Sequence, residues 1–197
     1  MNSENTKQAN NTKKDLFEWT EAVCVAIVMV IAVFTFLFRV VGVVGDSMVD
    51  TLHDGDRLII SNFLYTPSRG DIIVSNQPWS RDEAIIKRVI ATEGDTIDID
   101  FETGIVYLKK AGETKYVALD ETYTNTITSK PIYPTVEFPF TVSEGCVFAM
   151  GDNRNSSMDS RSIEIGEIDE RYILGKVLLR VFPFDDISSF KVPEIFE

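Results

Sequence analysis

The chain is poor in the side chains that metal sites and thiol chemistry require. Its 197 residues include one histidine and two cysteines, and neither a His-Glu-x-x-His pattern nor a Cys-x-x-Cys pair occurs. This composition argues against zinc chemistry, and we expect no metal and no cofactor. Cys24 lies within an apolar run and Cys146 lies near the far end of the chain. Because the two thiols would occupy different environments, we predict no disulfide.

The chain also lacks a basic surplus. Its 19 Lys and Arg residues are outnumbered by 31 Asp and Glu residues, which gives a formal net charge of −12. Binding to nucleic acid needs a basic face that neutralises phosphates, so we do not expect it here. An acidic balance of this kind is typical of an exposed domain that its charge keeps soluble.

Charge is missing altogether from residues 22–38, and the apolar character resumes over residues 40–44. The uninterrupted run is near the lower limit of about 17 residues for a spanning helix, and Arg39 can reach the interface with its long side chain. We predict a transmembrane anchor over residues 19–41, with the lipid bilayer as its partner. A buried core helix is disfavoured because the run has no polar stripe. A cleaved signal peptide is disfavoured because no small-x-small site follows the run.

The residues that precede the anchor are polar. Residues 1–14 are rich in Asn, Lys and Thr without apolar periodicity, and we predict that they are disordered. Lys13 and Lys14 lie just before the anchor, so the positive-inside rule predicts a single-pass protein of the cell membrane. Residues 1–18 would then be a cytoplasmic tail, and residues 42–197 would be one extracellular domain with its own core.

Long helical periodicity is rare after residue 45. Short apolar pieces alternate with turns rich in Gly, Pro and Asp, which favours a mainly β domain. The strand candidates are residues 57–60, 71–74, 84–90, 96–100, 105–108, 114–119, 145–150 and 172–182. Residues 84–90 are the strongest candidate, because their unbroken apolar run predicts a strand buried on both faces. We interpret residues 122–139 as an irregular segment and expect one short helix at residues 168–174.

Few side chains could act as a nucleophile or a base. His53 comes only six residues after Ser47, which is awkward for a Ser-His-acid triad and is typical of a surface turn. Cys146 has no histidine to activate it and is interpreted as structural. Lys87 ends an apolar strand run, and burial would lower its pKa enough to let it accept a serine proton. A lone lysine on a strand is usually exposed, and these patterns leave open whether Lys87 faces Ser47.

Three stretches resemble the motifs of one enzyme family. They are GDSMVDTL at residues 45–52, IKRVI at residues 86–90 and GDNRNSSMDSR at residues 151–161, in this order after an N-terminal anchor. RGDIIV at residues 69–74 and LDETY at residues 119–123 add to the likeness. The chain resembles the bacterial type I signal peptidases, and its short length and single anchor resemble their Gram-positive form. The resemblance extends from about residue 43 to residue 180.

The resemblance implies a catalytic domain of antiparallel β-sheet with a Ser-Lys dyad. Ser47 would be the nucleophile, and Lys87 would be the general base and later the acid for the leaving amine. Ser157 matches the hydroxyl that orients the lysine in the family. The backbone N–H of Ser47 would supply the oxyanion hole. Gly45 stands where some relatives have a second hydroxyl donor, so a second donor would have to come from elsewhere.

The resemblance also implies supporting and substrate-binding residues. Four positions match family residues that form ion pairs around the site: Arg88, Asp152, Asp159 and Arg161. The substrate would bind as an added β-strand between residues 41–46 and residues 83–86. Four residues in or next to these segments are expected to contact it: Asp46, Met48, Ile85 and Ile86. Shallow pockets there would admit small residues, typically Ala, at the first and third positions before the cut.

The expected function is therefore a membrane-bound serine endopeptidase, monomeric, that removes signal peptides from exported preproteins. Asp50 replaces a usual proline, and Ala91 and Glu93 replace the usual glycine and proline of the turn after the lysine strand. These departures concern rate and substrate preference more than reaction type. The alternatives are a protease of the same fold with a narrow substrate set, a relative of self-cleaving repressors, which the anchor disfavours, and a catalytically inactive binding module.

Overall fold

The computed structural model describes residues 2–76 and 84–196, with side chains from residue 17 onward. Two compact units, residues 1–39 and residues 40–197, make up the chain. The first unit consists almost entirely of helix α1, Asn2–Leu37. Within it, Phe17–Leu37 has a mean hydropathy of 2.5 over its most apolar window and no buried residue, so it is long and apolar enough to cross a membrane.

Helix α1 corrects two predictions. Residues 1–14 were expected to be disordered, but the helix begins at Asn2, because neither glycine nor proline interrupts residues 2–37. The helix ends at Leu37, four residues before the predicted end of the anchor at residue 41. The next residues belong to a strand, which suits their pair of β-branched valines.

Twelve short strands follow helix α1 in the part of the chain that the structure describes. They are β1 Arg39–Gly42, β2 Arg57–Ser61, β3 Ile72–Ser75, β4 Ile85–Thr92, β5 Thr96–Asp100, β6 Ile105–Lys109, β7 Val117–Ala118, β8 Phe140–Thr141, β9 Cys146–Met150, β10 Ile168–Asp169, β11 Ile173–Phe182 and β12 Ser188–Ser189. The larger sheet has the order β1-β2-β11-β3-β4-β9-β10, with β12 paired to β11. The smaller sheet has the order β7-β6-β5-β8.

The mainly β prediction is confirmed, and the pairings described in both sheets are antiparallel. Strand β4 is buried over its inner six residues, as the apolar run over residues 84–90 predicted. Residues 96–100 and 105–108 pair as the predicted hairpin. Residues 122–139 contain no named strand and form one isolated bridge, between Thr135 and Ser162.

The short helix predicted at residues 168–174 is wrong. Only a 3-10 turn is present, at Glu170–Tyr172, between strands β10 and β11. Asp169 caps this turn by accepting a hydrogen bond from the backbone of Arg171. From Ile173 to Leu178 burial alternates at every second residue, which is the pattern of a strand and not of a helix.

One hydrophobic cluster lies beneath the segment that carries Ser47. Met48 and Leu52, one and five residues after Ser47, are fully buried in it together with side chains from β2, β3, β4 and β11. Two large apolar side chains therefore anchor this segment to the larger sheet, although it forms no strand itself. This packing carries Ser47 to the end of β4 at which Lys87 lies.

Candidate active site

Ser47 and Lys87 are in direct contact. Lys87 Nζ donates a hydrogen bond to Ser47 Oγ at 2.8 Å. Ser47 lies in a half-buried turn, while Lys87 projects from the rigid strand β4. Residues 40 positions apart are thus brought within hydrogen-bonding distance, which is the arrangement that a serine nucleophile and its base require.

Lys87 is buried, with only 4% of its surface exposed. Loss of hydration lowers the pKa of its ammonium group to about 8. The carboxylate charges of Asp159 and Asp152 act in the opposite direction, and the nearby guanidinium of Arg161 adds to the lowering. A sizeable fraction of Lys87 is therefore neutral near neutral pH and can accept a proton.

Ser157 lies at the site, but its hydroxyl is directed to a different partner from the predicted one. Ser157 Oγ donates to Asp159 Oδ2 at 2.7 Å. The second hydrogen bond of Lys87 Nζ goes to the carbonyl of Ile86 at 3.0 Å. No hydrogen bond joins Ser157 to Lys87 among the described contacts. Because a hydroxyl that donates can also accept, the lysine-orienting role of Ser157 stays a prediction.

Asp159 and Arg161 form a fully buried ion pair behind the dyad. Arg161 Nε donates to Asp159 Oδ1 at 2.7 Å, and the backbone N–H of Gly151 donates to Asp159 Oδ2 at 2.9 Å. Burial alone would raise the pKa of Asp159, but the hydrogen bonds and charge of Arg161 outweigh it and lower that pKa. The carboxylate therefore stays ionised and directs its negative charge toward Lys87.

Arg88 and Asp152 form a second buried pair beside Lys87. Arg88 Nε and Nη2 bind the two carboxylate oxygens of Asp152 at 2.8 and 2.6 Å. Thr51 Oγ1 donates to the same carboxylate at 2.5 Å, which ties the nucleophile segment to the strand that carries the base. The four predicted ion-pairing residues are thus paired as expected, and their role as scaffold stays a prediction.

A cleft opens beside the dyad. It has a volume of about 380 Å³ and is lined by Gly42, Val43, Val44, Gly45, Ser47, Met48, Ala84, Ile85, Ile86 and Lys87. Three of the four predicted substrate-binding residues are in this lining, whereas Asp46 is not among the lining residues. Asp46 is exposed, and its carbonyl accepts a hydrogen bond from Asn153 Nδ2. Glu83, predicted at the edge of the substrate site, lies outside the described residues.

Comparison with known proteins assigns the chain to a family. The family model described as "Signal peptidase, peptidase S26" matches residues 16–182. A signal peptidase I of Bacillus licheniformis is 35% identical over 93% of this chain and 97% of that protein. The chain belongs to the signal peptidase family, peptidase S26. Signal peptidase I T of Bacillus subtilis (strain 168) is 32% identical over 96% of this chain and 97% of that protein.

A solved structure is also similar to this signal peptidase. It is the crystal structure of a signal peptidase I from Enterococcus faecalis, 23% identical, with a TM-score of 0.42. The match covers 57% of this chain and 97% of the crystallised chain.

Several residues that complete the site of this signal peptidase were not predicted individually. Arg154 is fully buried, and its guanidinium binds both carboxylate oxygens of Glu121. The ring of Tyr123 lies 4.3 Å from Arg88 and supports that guanidinium in a cation–π contact. Glu121 and Tyr123 lie within the stretch LDETY, and Arg154 lies within GDNRNSSMDSR. The signal for them was therefore the presence of charged and aromatic residues, without a predicted role, in stretches that carried the resemblance.

Gly151 is a further residue with a steric requirement. A Cβ atom at this position would lie 2.2 Å from Ser157 Oγ and 2.5 Å from the carbonyl oxygen of Ser47. Contacts this short exclude any side chain. Glycine at position 151 therefore lets strand β9 end against the nucleophile segment.

The other sequence candidates lie away from the dyad's contacts. His53 is exposed in a turn, where its backbone N–H donates to Asp56 Oδ2. Cys146 is a free, half-buried thiol whose pKa is raised to about 11, mainly by burial. Cys24 is also free, in helix α1. The non-catalytic interpretations of His53 and Cys146 agree with these positions. Within the described ranges, no group of three His, Cys, Asp or Glu residues has the geometry to hold a metal ion.

Proposed function

We propose that this signal peptidase removes signal peptides from exported preproteins with Ser47 as nucleophile and Lys87 as general base. The observation that carries the proposal is the 2.8 Å contact between Lys87 Nζ and Ser47 Oγ at a buried lysine whose pKa is lowered to about 8. Neutral Lys87 accepts the Ser47 hydroxyl proton as Oγ attacks the scissile carbonyl carbon.

The remaining steps use the same two residues. Negative charge develops on the carbonyl oxygen, and the backbone N–H of Ser47, which donates to no residue that the structure describes, stabilises it. The Lys87 ammonium then gives its proton to the leaving amine, and an acyl-enzyme on Ser47 remains. Lys87 next takes a proton from water as the water oxygen attacks the acyl carbon. The bond from that carbon to Ser47 Oγ then breaks, Lys87 returns the proton to Oγ, and the signal peptide leaves with a new C-terminal carboxyl group.

The substrate binds as an extended strand next to β4. Strand β9 pairs with β4 only from Arg88 to Thr92, while β3 occupies the other edge at Ile85–Arg88. The β9-side edge of Ile85–Lys87 is thus free of strand partners within the described ranges. Across the cleft, the backbone N–H of Val43 donates to Asp56 O, and the backbone C=O of Val43 accepts from Gly55 N. The backbone N–H and C=O of Val44 have no described partner. An extended peptide between these two segments can pair with both.

The chemistry of the cleft favours small apolar side chains. Its walls come mostly from Met48, Ile85, Ile86 and backbone around Gly42 and Gly45, and its volume of about 380 Å³ must hold several residues of substrate. Side chains of an extended peptide alternate in direction, so the first and third residues before the cut point to the same wall. We expect Ala or a residue of similar size at both positions.

The protein is anchored by helix α1, with residues 1–18 in the cytoplasm and the catalytic domain outside the cell membrane. Lys13 and Lys14 on the N-terminal side of the apolar segment support this orientation. We propose that the enzyme acts as a monomer.

Cleavage of a model preprotein by the purified full chain tests the proposal. Ser47→Ala and Lys87→Ala should each lower kcat by about a thousandfold or more, because each removes a member of the dyad. Ser156→Ala and Lys115→Ala, at exposed positions, are the matched controls and should keep wild-type rates. Wild-type rates in either dyad variant would contradict the assignment.

The same assay separates the remaining alternatives. A catalytically inactive binding module would bind the preprotein and leave it intact, which the contact between Ser47 and Lys87 disfavours. A dedicated protease would cut one preprotein in a panel of unrelated ones. The small, mostly apolar cleft recognises side-chain size more than sequence, so we expect cleavage of several preproteins that carry Ala before the cut.

A further inference from the structure

The carbonyl oxygens on both sides of the nucleophile's Cα are held by one residue. The backbone N–H of Asn153 donates to Ser47 O at 3.1 Å. Its side-chain Nδ2 donates to Asp46 O, also at 3.1 Å. Ser47 lies in a turn, outside the helices and strands, so no ladder of backbone hydrogen bonds orients it. Asp46 O also accepts from the backbone N–H of Val49 at 3.2 Å, within the turn itself. Asn153 thus adds the hydrogen bond that links this turn to the loop at residues 151–161, and it contacts two successive peptide groups at the point where the reaction takes place.

The first of these groups includes the N–H assigned to the oxyanion hole. Asp46 C=O and Ser47 N–H belong to one planar trans peptide group and point in opposite directions. A donor that fixes Asp46 O therefore also fixes the direction of Ser47 N–H, which has no acceptor among the described residues. A hydrogen bond at the carbonyl also polarises the amide, which makes its N–H a stronger donor.

We propose that Asn153 is a positioning residue for the oxyanion hole, with its side-chain amide aiming the Ser47 N–H at the developing negative charge. The inference rests on the proposed function, because it takes Ser47 as the nucleophile. The groups that set the pKa of Lys87 are burial and the charges of Asp159, Arg161 and Asp152. Asn153 is not among them, so its loss changes stabilisation of the transition state and leaves the titration of the base unaltered.

Two substitutions at one position test this role in the full chain in detergent micelles. Asn153→Ala removes the donor, and Asn153→Asp keeps the size but places an acceptor against Asp46 O. Both keep the backbone N–H that holds Ser47 O. The matched control is Asn155→Ala, an amide in the same loop that donates to Ile127 O and accepts from Ser129 N, both at 3.2 Å.

Steady-state cleavage is measured on a peptide with Ala at the first and third positions before the cut. We expect kcat to fall about 10- to 100-fold in Asn153→Ala and further in Asn153→Asp, since a misdirected oxyanion donor loses much of its effect. In Asn153→Ala, KM should stay within about twofold and the apparent pKa of kcat/KM should stay at the wild-type value. Asn153→Asp adds a negative charge near Lys87 and should raise that pKa, so the pH comparison uses Asn153→Ala alone. Asn155→Ala should keep both kinetic constants.

A second measurement reports on the oxyanion hole directly. In a peptide aldehyde ending at the residue before the cut, Ser47 Oγ bonds to the carbonyl carbon, the π electron pair moves to the carbonyl oxygen and the hydroxyl proton moves to Lys87 Nζ. The corresponding peptide alcohol binds without forming this oxyanion. The ratio of the two Kd values should change by the same factor as kcat, and it can be measured on whatever fraction of a variant folds.

Ser47→Ala is assayed in parallel. If Ser47→Ala still cleaves the peptide, the proposed function itself fails. If Ser47→Ala is inactive but the aldehyde-to-alcohol ratio is unchanged in both Asn153 variants, the positioning role alone is overturned. Equal weakening of aldehyde and alcohol also leaves the ratio unchanged, and it would mean that Asn153 only supports the fold of the loop.

Discussion

At the scale of the residue, Lys87 shows how burial suits a lysine to the role of base that we propose for it. An ordinary lysine with a pKa near 10.4 is neutral in about one molecule in a few thousand at pH 7. Burial lowers the pKa of Lys87 to about 8, which raises the neutral fraction at pH 7 to roughly one in ten. The same burial places Nζ against Ser47 Oγ, so proximity and basicity come from one packing arrangement.

The first prediction concerns pH. Because only the neutral amine can accept the Ser47 proton, kcat/KM should rise with pH through an apparent pKa of about 8 and then level off. Initial rates of peptide cleavage from about pH 6 to about pH 10 measure this profile, because that range extends to either side of the lowered pKa of Lys87. A rate that keeps rising to pH 10 would mean that Lys87 titrates like a free lysine in solution.

The second prediction concerns stability. The folded-state pKa of Lys87 lies below the unfolded value of 10.5, so the unfolded chain binds more protons between about pH 8 and 10.5. The destabilisation of the folded state by Lys87 is therefore at its maximum below about pH 8. The free energy of unfolding increases as the pH rises from about 8 to 10.5. The shift corresponds to at most about 3 kcal/mol. Lys87→Met should raise the free energy of unfolding at pH 7 by about 1–3 kcal/mol while abolishing activity.

Chemical denaturation at pH 7 and pH 10 measures that effect. The gain of Lys87→Met over the wild type should shrink at pH 10, because the wild-type lysine is then neutral when folded. A variant that is less stable than the wild type at pH 7 would show that the hydrogen bonds of Lys87 outweigh its desolvation.

At the scale of the element, the irregular segment at residues 122–139 is held in place by buried charge. Arg154 is fully buried and binds Glu121, just before this segment, and Thr128 Oγ1 within it at 2.8 Å. Tyr133 OH adds a hydrogen bond to Ser157 O at 2.7 Å. Polar contacts with the loop at residues 151–161 thus replace the strand pairing that the segment lacks.

The third prediction follows from this anchoring. Glu121→Ala leaves the Arg154 guanidinium buried without its carboxylate, which should cost about 3–5 kcal/mol of unfolding free energy. Arg171→Ala is the matched control, since its pair with Asp169 has an arginine side chain 84% exposed, and it should cost about 0.5 kcal/mol or less. Thermal and chemical unfolding measure both, and similar losses in the two variants would contradict the anchoring role.

The elements also show what could be predicted from sequence. Residues 96–100 and 105–108 alternate in polarity across a glycine turn, so local pattern sufficed for their hairpin. The short helix at residues 168–174 was wrong because tertiary burial at every second residue of β11 outweighed local propensity. The anchor was extended to residue 41 because an apolar strand and the end of an apolar helix look alike in composition.

The residues of the site could be predicted only where they lie in stretches that resemble the family's motifs. Ser47, Lys87 and the ion pairs came from the resemblance, and the structure brings them together. The Ser157 hydroxyl donates to Asp159, and Asn153 reaches Asp46 across more than a hundred positions of sequence. Contacts of that kind depend on the folded geometry and leave no periodic signal in the chain.

At the scale of the whole catalytic unit, the C-terminal residues pack against side chains that support the active site. Phe196 is buried and stacks on Tyr123 with ring centroids 6.1 Å apart, and Tyr123 in turn lies on Arg88. A Cβ at Gly70, whose carbonyl accepts from Arg88 Nη1, would lie 2.8 Å from Phe196 Cδ2. The end of the chain therefore packs against both neighbours of the guanidinium that holds Asp152.

The fourth prediction uses this packing. Phe196→Ala should lower the free energy of unfolding by about 3–5 kcal/mol, because it empties a buried aromatic position. Its activity below the melting temperature should also fall, since Arg88 loses support. Phe184→Ala, at a side chain 79% exposed, is the control and should change neither quantity appreciably. Full activity in a destabilised Phe196→Ala would separate the C-terminal packing from the site.

The open edge of β4 has a consequence for timing. That edge offers backbone hydrogen bonds at Ile85–Lys87, and only a single chain with its own backbone groups unpaired can use them. A preprotein whose cleavage region is coiled into a helix, or whose mature part has already folded up to the cut, has no such groups to offer. If the substrate binds at this edge as we propose, we expect cleavage only in the interval in which the chain has emerged but has not yet folded.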